Sequence, residues 1–178
     1  MTQRTLFAAL FLAFVTIAPL AHAESPTIAV VDVERLYIDS KGAKSLKSQI
    51  EAKKEAFRKE FSAKEAELKK LEDALMSERE KLSAEEFGKK RKEFEQKILE
   101  ARKLFQKRSS SLDDGQKSAM RELRKGIAEA TTEVAEQKNY DVVLTRDSVV
   151  IAEKALDITE DVLKKLDEKI STIPLKVE

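Results

Sequence analysis

Apolar residues between positions 41 and 138 recur at steps of three and four. They run Leu46, Ile50, Phe57, Phe61, Leu68, Leu71, Leu75 and Leu82. They resume at Phe87, Phe94, Ile98, Ala101, Phe105, Leu112, Ala119, Leu123, Ile127, Ala130 and Val134. Lys, Glu, Arg, Gln and Ala fill the positions between, so the stretch predicts amphipathic helix. The step of four from Phe57 to Phe61 rules out one unbroken heptad ladder. At the break stands Ser83, with Glu86 three residues later, the pattern of a capping box that starts a new helix. The pattern therefore predicts a hairpin of two very long antiparallel helices over 41–138, with its tip near 82–88. A first arm of about 43 residues at 1.5 Å per residue spans roughly 65 Å, more than the rest of the chain could cover. Ser40 and Gly42 mark the joint where that arm begins. Gly115 and Gly126 fall where the second arm nears the body, as flex points or as sites of close helix packing.

On either side the pattern changes to short β-branched runs. Ile28, Ala29, Val30 and Val31 read as a strand buried on both faces. Asp32 caps a short helix carrying Leu36 and Tyr37. After the second arm, residues 141–145 and 149–152 read as two strands of a hairpin around Arg146-Asp147-Ser148. Thr159 then serves as N-cap of a final helix that presents Val162, Leu163, Leu166 and Ile170 and stops before Pro174. Ile158 staples onto Leu163. The expected class is α+β, mostly helical: a small body from residues 24–40 and 139–178, with the hairpin inserted between its halves. Three short strands bury too little to stand alone, so the body is expected to self-associate through its sheets. Ile28, Val30, Val142, Leu144, Val149 and Ile151 are the candidate residues of that oligomeric body.

The first residues change the compartment. Arg4, an apolar run from Leu6 to Leu20, and Ala21-His22-Ala23 describe a secretory signal peptide cleaved near Ala23. Among 178 residues there is no cysteine and one histidine, His22, which lies in that segment. Ser-His-Asp and Cys-His catalysis and zinc sites built on His or Cys are thereby excluded. No enzyme activity, metal or cofactor is expected.

Charge is unevenly placed. Residues 41–138 hold 26 Lys/Arg against 20 Asp/Glu, whereas the rest of the chain beyond residue 23 holds 7 against 13. The arms are cationic and the body anionic. Around the tip, Lys89, Lys90, Arg91 and Lys92 form a run suited to acidic partners or anionic lipid headgroups. Export argues against nucleic acid as the partner. The arm stripe is poor in Leu and Ile for a tight zipper. Phe57, Phe61, Phe94, Phe105 and Met76 stand on it, either joining one arm to the other or offering an adaptable apolar surface to an unfolded chain.

Three stretches match a known family in order: Ile28-Ala29-Val30-Val31-Asp32-Val33, Tyr140-Asp141-Val142-Val143-Leu144, and Asp157-Ile158-Thr159-Glu160-Asp161-Val162-Leu163-Lys164-Lys165-Leu166. With the long charged hairpin between them, the chain resembles the Skp/OmpH family of periplasmic chaperones. That resemblance implies a homotrimer with a small β-barrel body and three helical arms around a cavity. It implies that unfolded outer-membrane β-barrel proteins are held there without ATP. It also makes lipopolysaccharide a further partner to look for at Lys89–Lys92. Family members are often strongly basic overall. This chain beyond residue 23 is balanced, with its basic excess confined to the arms. The competing reading is a structural spacer or adaptor rod in a periplasmic assembly, which would bind one folded partner.

Overall fold

The computed structural model describes residues 25–177. The expected signal segment, 1–23, lies outside them. The element order is β1 (Ile28–Val31), α1 (Val33–Asp39), α2 (Lys41–Glu78), α3 (Ala84–Lys138), β2 (Val142–Thr145) and α4 (Thr159–Lys169). Two single 3-10 turns, Arg146–Ser148 and Lys154–Leu156, lie between β2 and α4.

The long helices start where local chemistry allows. Asp32 Oδ1 accepts the Arg35 N–H at 2.9 Å and caps α1. Ser40 Oγ accepts the Ala43 N–H and caps α2. Ser83 and Glu86 form the reciprocal capping box of α3, satisfying two N–H groups that a helix start leaves unpaired. α3 ends at Asn139, whose φ of 56° is the left-handed conformation that closes a helix and that Asn tolerates. The arms pair in reverse order. Glu78 meets Lys90, Phe61 meets Phe105 and Glu60 meets Arg108, so α2 and α3 run antiparallel. α2 is 38 residues long and α3 is 55. The first arm is thus shorter than its periodicity suggests, because residues 79–83 are spent on the turn.

The core lies at the root of the arms. Leu36, Leu46, Leu123, Ile127, Ala130, Val134, Ile158, Val162 and Leu166 are buried there with Ala29 and Val31. α4 packs across α1 and α3 and brings Val162 and Leu166 to zero exposure. β1 lies in the middle of this layer, with Ala29, Val30 and Val31 all buried as a two-faced strand should be.

The sheet differs from expectation. It has two strands, β1 and β2, paired in parallel with Ile28 opposite Val142 and Val31 opposite Thr145. Residues 149–152 form no strand, and there is no β-hairpin among the described residues. The far edge of β1 is taken by residues 157–158, where the Ile158 N–H donates to Val30 O at 2.9 Å. A β-branched run becomes a strand only where a partner edge receives it. Within one chain residues 149–152 have none, and Val150 and Ile151 are left 105% and 88% exposed.

The start of α4 also differs. Thr159 is not the N-cap but the first helical residue, and Ile158 occupies the cap position without a side-chain hydrogen bond. Asp157 Oδ1 accepts the Thr159 N–H, and Thr159 Oγ1 accepts the Asp32 N–H, each at 2.9 Å. The threonine hydroxyl is thus committed to joining two elements. Ile158 is buried in the core, and Leu163 packs against that same core.

Candidate functional site

Above the root the arms are thinly packed. From Lys47 to residue 111, Ala101 is the one fully buried residue. The stripe residues Leu68, Leu71, Leu75, Phe94 and Ile98 are half-buried. Two helices alone give each side chain cover on one side, so an apolar seam remains partly open.

The candidate aromatic residues separate into two groups. Phe57, Phe61 and Phe105 gather midway along the arms. Phe61 and Phe105 meet edge to face at 3.8 Å between centroids, and Phe57 lies 6.4 Å from Phe61. The Arg108 guanidinium stacks over Phe57 at 5.5 Å, a cation–π contact, while its Nε lies 3.5 Å from Glu60. These rings hold one arm to the other. Phe94 instead lines a recess of about 220 Å³ between the arms, together with Leu71, Leu75, Glu78, Lys90 and Lys97. Met76 stands away from the seam, 61% exposed.

The basic run at the tip is largely answered by carboxylates. Lys89 pairs with Glu85 at 2.8 Å, Arg91 with Glu95 at 3.2 Å, and Lys90 with Glu78 on the other arm. No ion pair of Lys92 is found among the described residues. Such exposed pairs are weak and exchange readily with other anions. Serine lowers the Glu86 carboxyl: its hydroxyl and its N–H both donate to that group, at 2.6 and 3.0 Å.

At the other end of the molecule the outer edge of β2 is unpaired. Val142 and Leu144 are 40% and 38% exposed. Ile28 is partly exposed at the start of β1, and Val149 is half-buried. Val30 differs from the other candidate body residues, because it is buried inside the chain. Two ties hold this end to the arms, and a third joins the two halves of the body. Lys138 pairs with Asp161 at 2.5 Å and Lys169 with Glu133, each lysine's pKa raised by its carboxylate partner. Thr27 N–H donates to Asp141 Oδ2 at 2.7 Å, which keeps that carboxyl below the usual range.

One feature escaped the sequence reading. Residues 171–177 do not trail from α4 but lie extended along the arm root, with Ile173 fully buried and Leu175 nearly so. The alternation of Ile173, Leu175 and Val177 was the available signal, and Pro174 in its midst reads as a stop.

No group of His, Cys, Asp or Glu among the described residues is arranged to hold a metal ion, and no described helix is long and apolar enough to cross a membrane. Comparison with known proteins agrees with the shape. Residues 27–166 match the family model described as outer membrane protein (OmpH-like). The chaperone protein Skp of Yersinia enterocolitica is 27% identical over 157 residues, covering 84% of this chain and 92% of that protein. A Skp-like protein of Pseudomonas aeruginosa is 28% identical over 163 residues, covering 89% and 94%. The fold of an OmpH-like protein from Caulobacter crescentus superposes with a TM-score of 0.79 at 18% identity, covering 99% of this chain and 96% of the other. The chain belongs to the OmpH-like outer membrane protein family, which includes the Skp chaperones.

Proposed function

We propose that this protein is an ATP-independent holdase of the periplasm, a chaperone and not an enzyme, reached after removal of a signal peptide near Ala23. Its clients are unfolded outer-membrane β-barrel proteins, kept from aggregating until they insert. The observation that carries this reading is the arm pair itself. Beyond Phe57, the last residue of the first arm that packs against the core, roughly 30 Å of helix at 1.5 Å per residue runs on to Glu78. It carries a half-open apolar seam, and over residues 41–138 as a whole 26 basic side chains face 20 acidic ones. Such a surface holds an extended chain through many weak contacts, without reading its side chains.

Three copies would form the working unit, with the body as residues 24–40 and 139–178 and the arm as residues 41–138. The open edge of β2 and the bare Val150 and Ile151 support association, since an edge strand of this kind invites pairing with another chain. Paired sheets from three bodies would close a small barrel, and three arms would then surround a shared cavity. Met76, Phe94 and the apolar seam would meet the client, with Phe57, Phe61 and Phe105 contributing where the arms part. Lys89, Lys90, Arg91 and Lys92 would draw acidic clients inward, and anionic lipid headgroups, lipopolysaccharide included, are a second ligand class for that tip.

Native mass spectrometry of the mature protein tests this, alone and after rapid dilution of a urea-unfolded outer-membrane barrel protein into it. A three-chain species that takes up one client is the expected result. A monomer or dimer that ignores the client overturns the proposal and favours a rod with one folded partner.

A further inference from the structure

Residues 171–177 occupy a groove between the two arm roots, beyond the stretch that matches the family model, which ends at residue 166. Recognition there is of a particular kind. Gln49 on α2 donates from Nε2 to Ile173 O at 2.8 Å and accepts the Leu175 N–H on Oε1 at 3.0 Å. A side-chain amide that pairs with the C=O of one residue and the N–H of the second next reproduces one rung of a β-ladder. Glycine at 115 lets the backbone come close: a Cβ there would lie 2.5 Å from Lys176 O. Alternate side chains are treated differently. Ile173 and Leu175 enter the core, while Pro174 and Lys176 face solvent. The groove thus reads an extended backbone and two apolar side chains spaced two apart, and no ion pair of the segment is found among the described residues.

We propose that this groove is a receptor for extended peptide with apolar residues at alternate positions, and that the chain's own residues 171–177 are a resident strap that a segment of the same chemistry displaces. Backbone pairing supplies affinity and the two apolar pockets supply the register. The same alternation marks the strands of membrane β-barrels, so the groove becomes one place where a client strand docks. That last step rests on the holdase reading, whereas the receptor itself does not.

The test is fluorescence anisotropy with a labelled peptide of residues 171–177, added to three full-length proteins whose helical circular dichroism is compared first. These are the unaltered chain, Leu175→Asp, which weakens the strap, and Leu175→Asp with Gln49→Ala. The expected order is at least tenfold tighter binding by Leu175→Asp than by the unaltered chain. Most of that gain is lost when Gln49 is also replaced, since two hydrogen bonds are removed. A peptide of the same composition with its apolar residues adjacent is expected not to compete. Equal binding by all three proteins, competition by the rearranged peptide, or loss of helical signal in Leu175→Asp overturns the proposal; the last would make the strap a fixed part of the core. Because no unfolded membrane protein is present, failure of the holdase reading leaves this result standing, and failure here leaves capture by the arms untouched.

Discussion

Replacing Gly115 by alanine is expected to destabilise the protein, although the same change at Gly88 is expected to stabilise it. Both glycines lie inside α3, where alanine is favoured over glycine by about 1 kcal/mol. At Gly88 an added Cβ meets nothing within 4 Å, so the full gain appears. At Gly115 the added atom meets Lys176 O at 2.5 Å and Val177 Cγ2 at 3.2 Å. The obstacle is backbone, and it can yield only if the strap moves. Overpacking of this sort costs about 1–3 kcal/mol, which outweighs the helix gain. The two variants should therefore lie about 2 kcal/mol apart, with Gly88→Ala above the unaltered protein and Gly115→Ala below it. Urea unfolding followed by circular dichroism at one fixed protein concentration measures this, since self-association makes midpoints concentration-dependent. Equal stabilisation by both changes would refute the reasoning. It would mean that the strap yields at no cost and that Gly115 is a helix defect and not a packing site.

Leu166→Ala removes a side chain with no exposure from the centre of the root core and should cost about 2–5 kcal/mol in the same assay. Ser83→Ala removes one half of the capping box and should cost about 1 kcal/mol, seen as faster hydrogen exchange at the Glu86 and Phe87 amides with little change elsewhere. The Glu86 carboxyl is held below its ordinary value of 4.5 by the Ser83 hydroxyl and N–H. Its folded pKa is depressed, so its support for the tip is present above that ordinary value and is lost as pH falls through the folded one. Protection of the Phe87 amide, taken relative to its intrinsic exchange rate at each pH, should fall on acidification in the unaltered protein and much less in Ser83→Ala. Ile151→Asp places a charge on a residue that is 88% exposed within one chain. It should leave the helical signal unchanged and, on the proposed three-copy unit, shift native mass spectra toward monomer. Lys92→Glu should slow client capture at low salt more than Lys89→Glu, whose partner Glu85 already neutralises it. The difference should fade as salt screens both.

The features legible in the unfolded chain are local ones. The steps of three and four, the glutamate three residues after Ser83, and Asp32 and Ser40 ahead of helical runs act within one or two turns. The break between the long helices and the Asp32 and Ser83 caps could therefore be read directly, although the turn, residues 79–83, falls ahead of the expected tip near 82–88. The candidate surfaces were legible as a stripe and a charge run for the same reason. Tertiary structure decided the rest, because it joins residues far apart in the chain. β1 pairs with β2 across the whole arm, and Asp157 with Ile158 takes the other edge, so the β-branched run at 149–152 keeps its propensity but finds no partner within the chain. Thr159 looked like a cap until Asp32, from the other end of the chain, took its hydroxyl. Gly115 and Gly126 could equally have been hinges. They became contact sites because the strap crosses one, and a Cβ on the other would overlap Ile170. Which arm phenylalanines are glue was likewise set by the partner helix, which brings Phe105 onto Phe61 and leaves Phe94 beside a recess. Periodicity shows which face of a helix is apolar, and only the packed fold shows what covers that face.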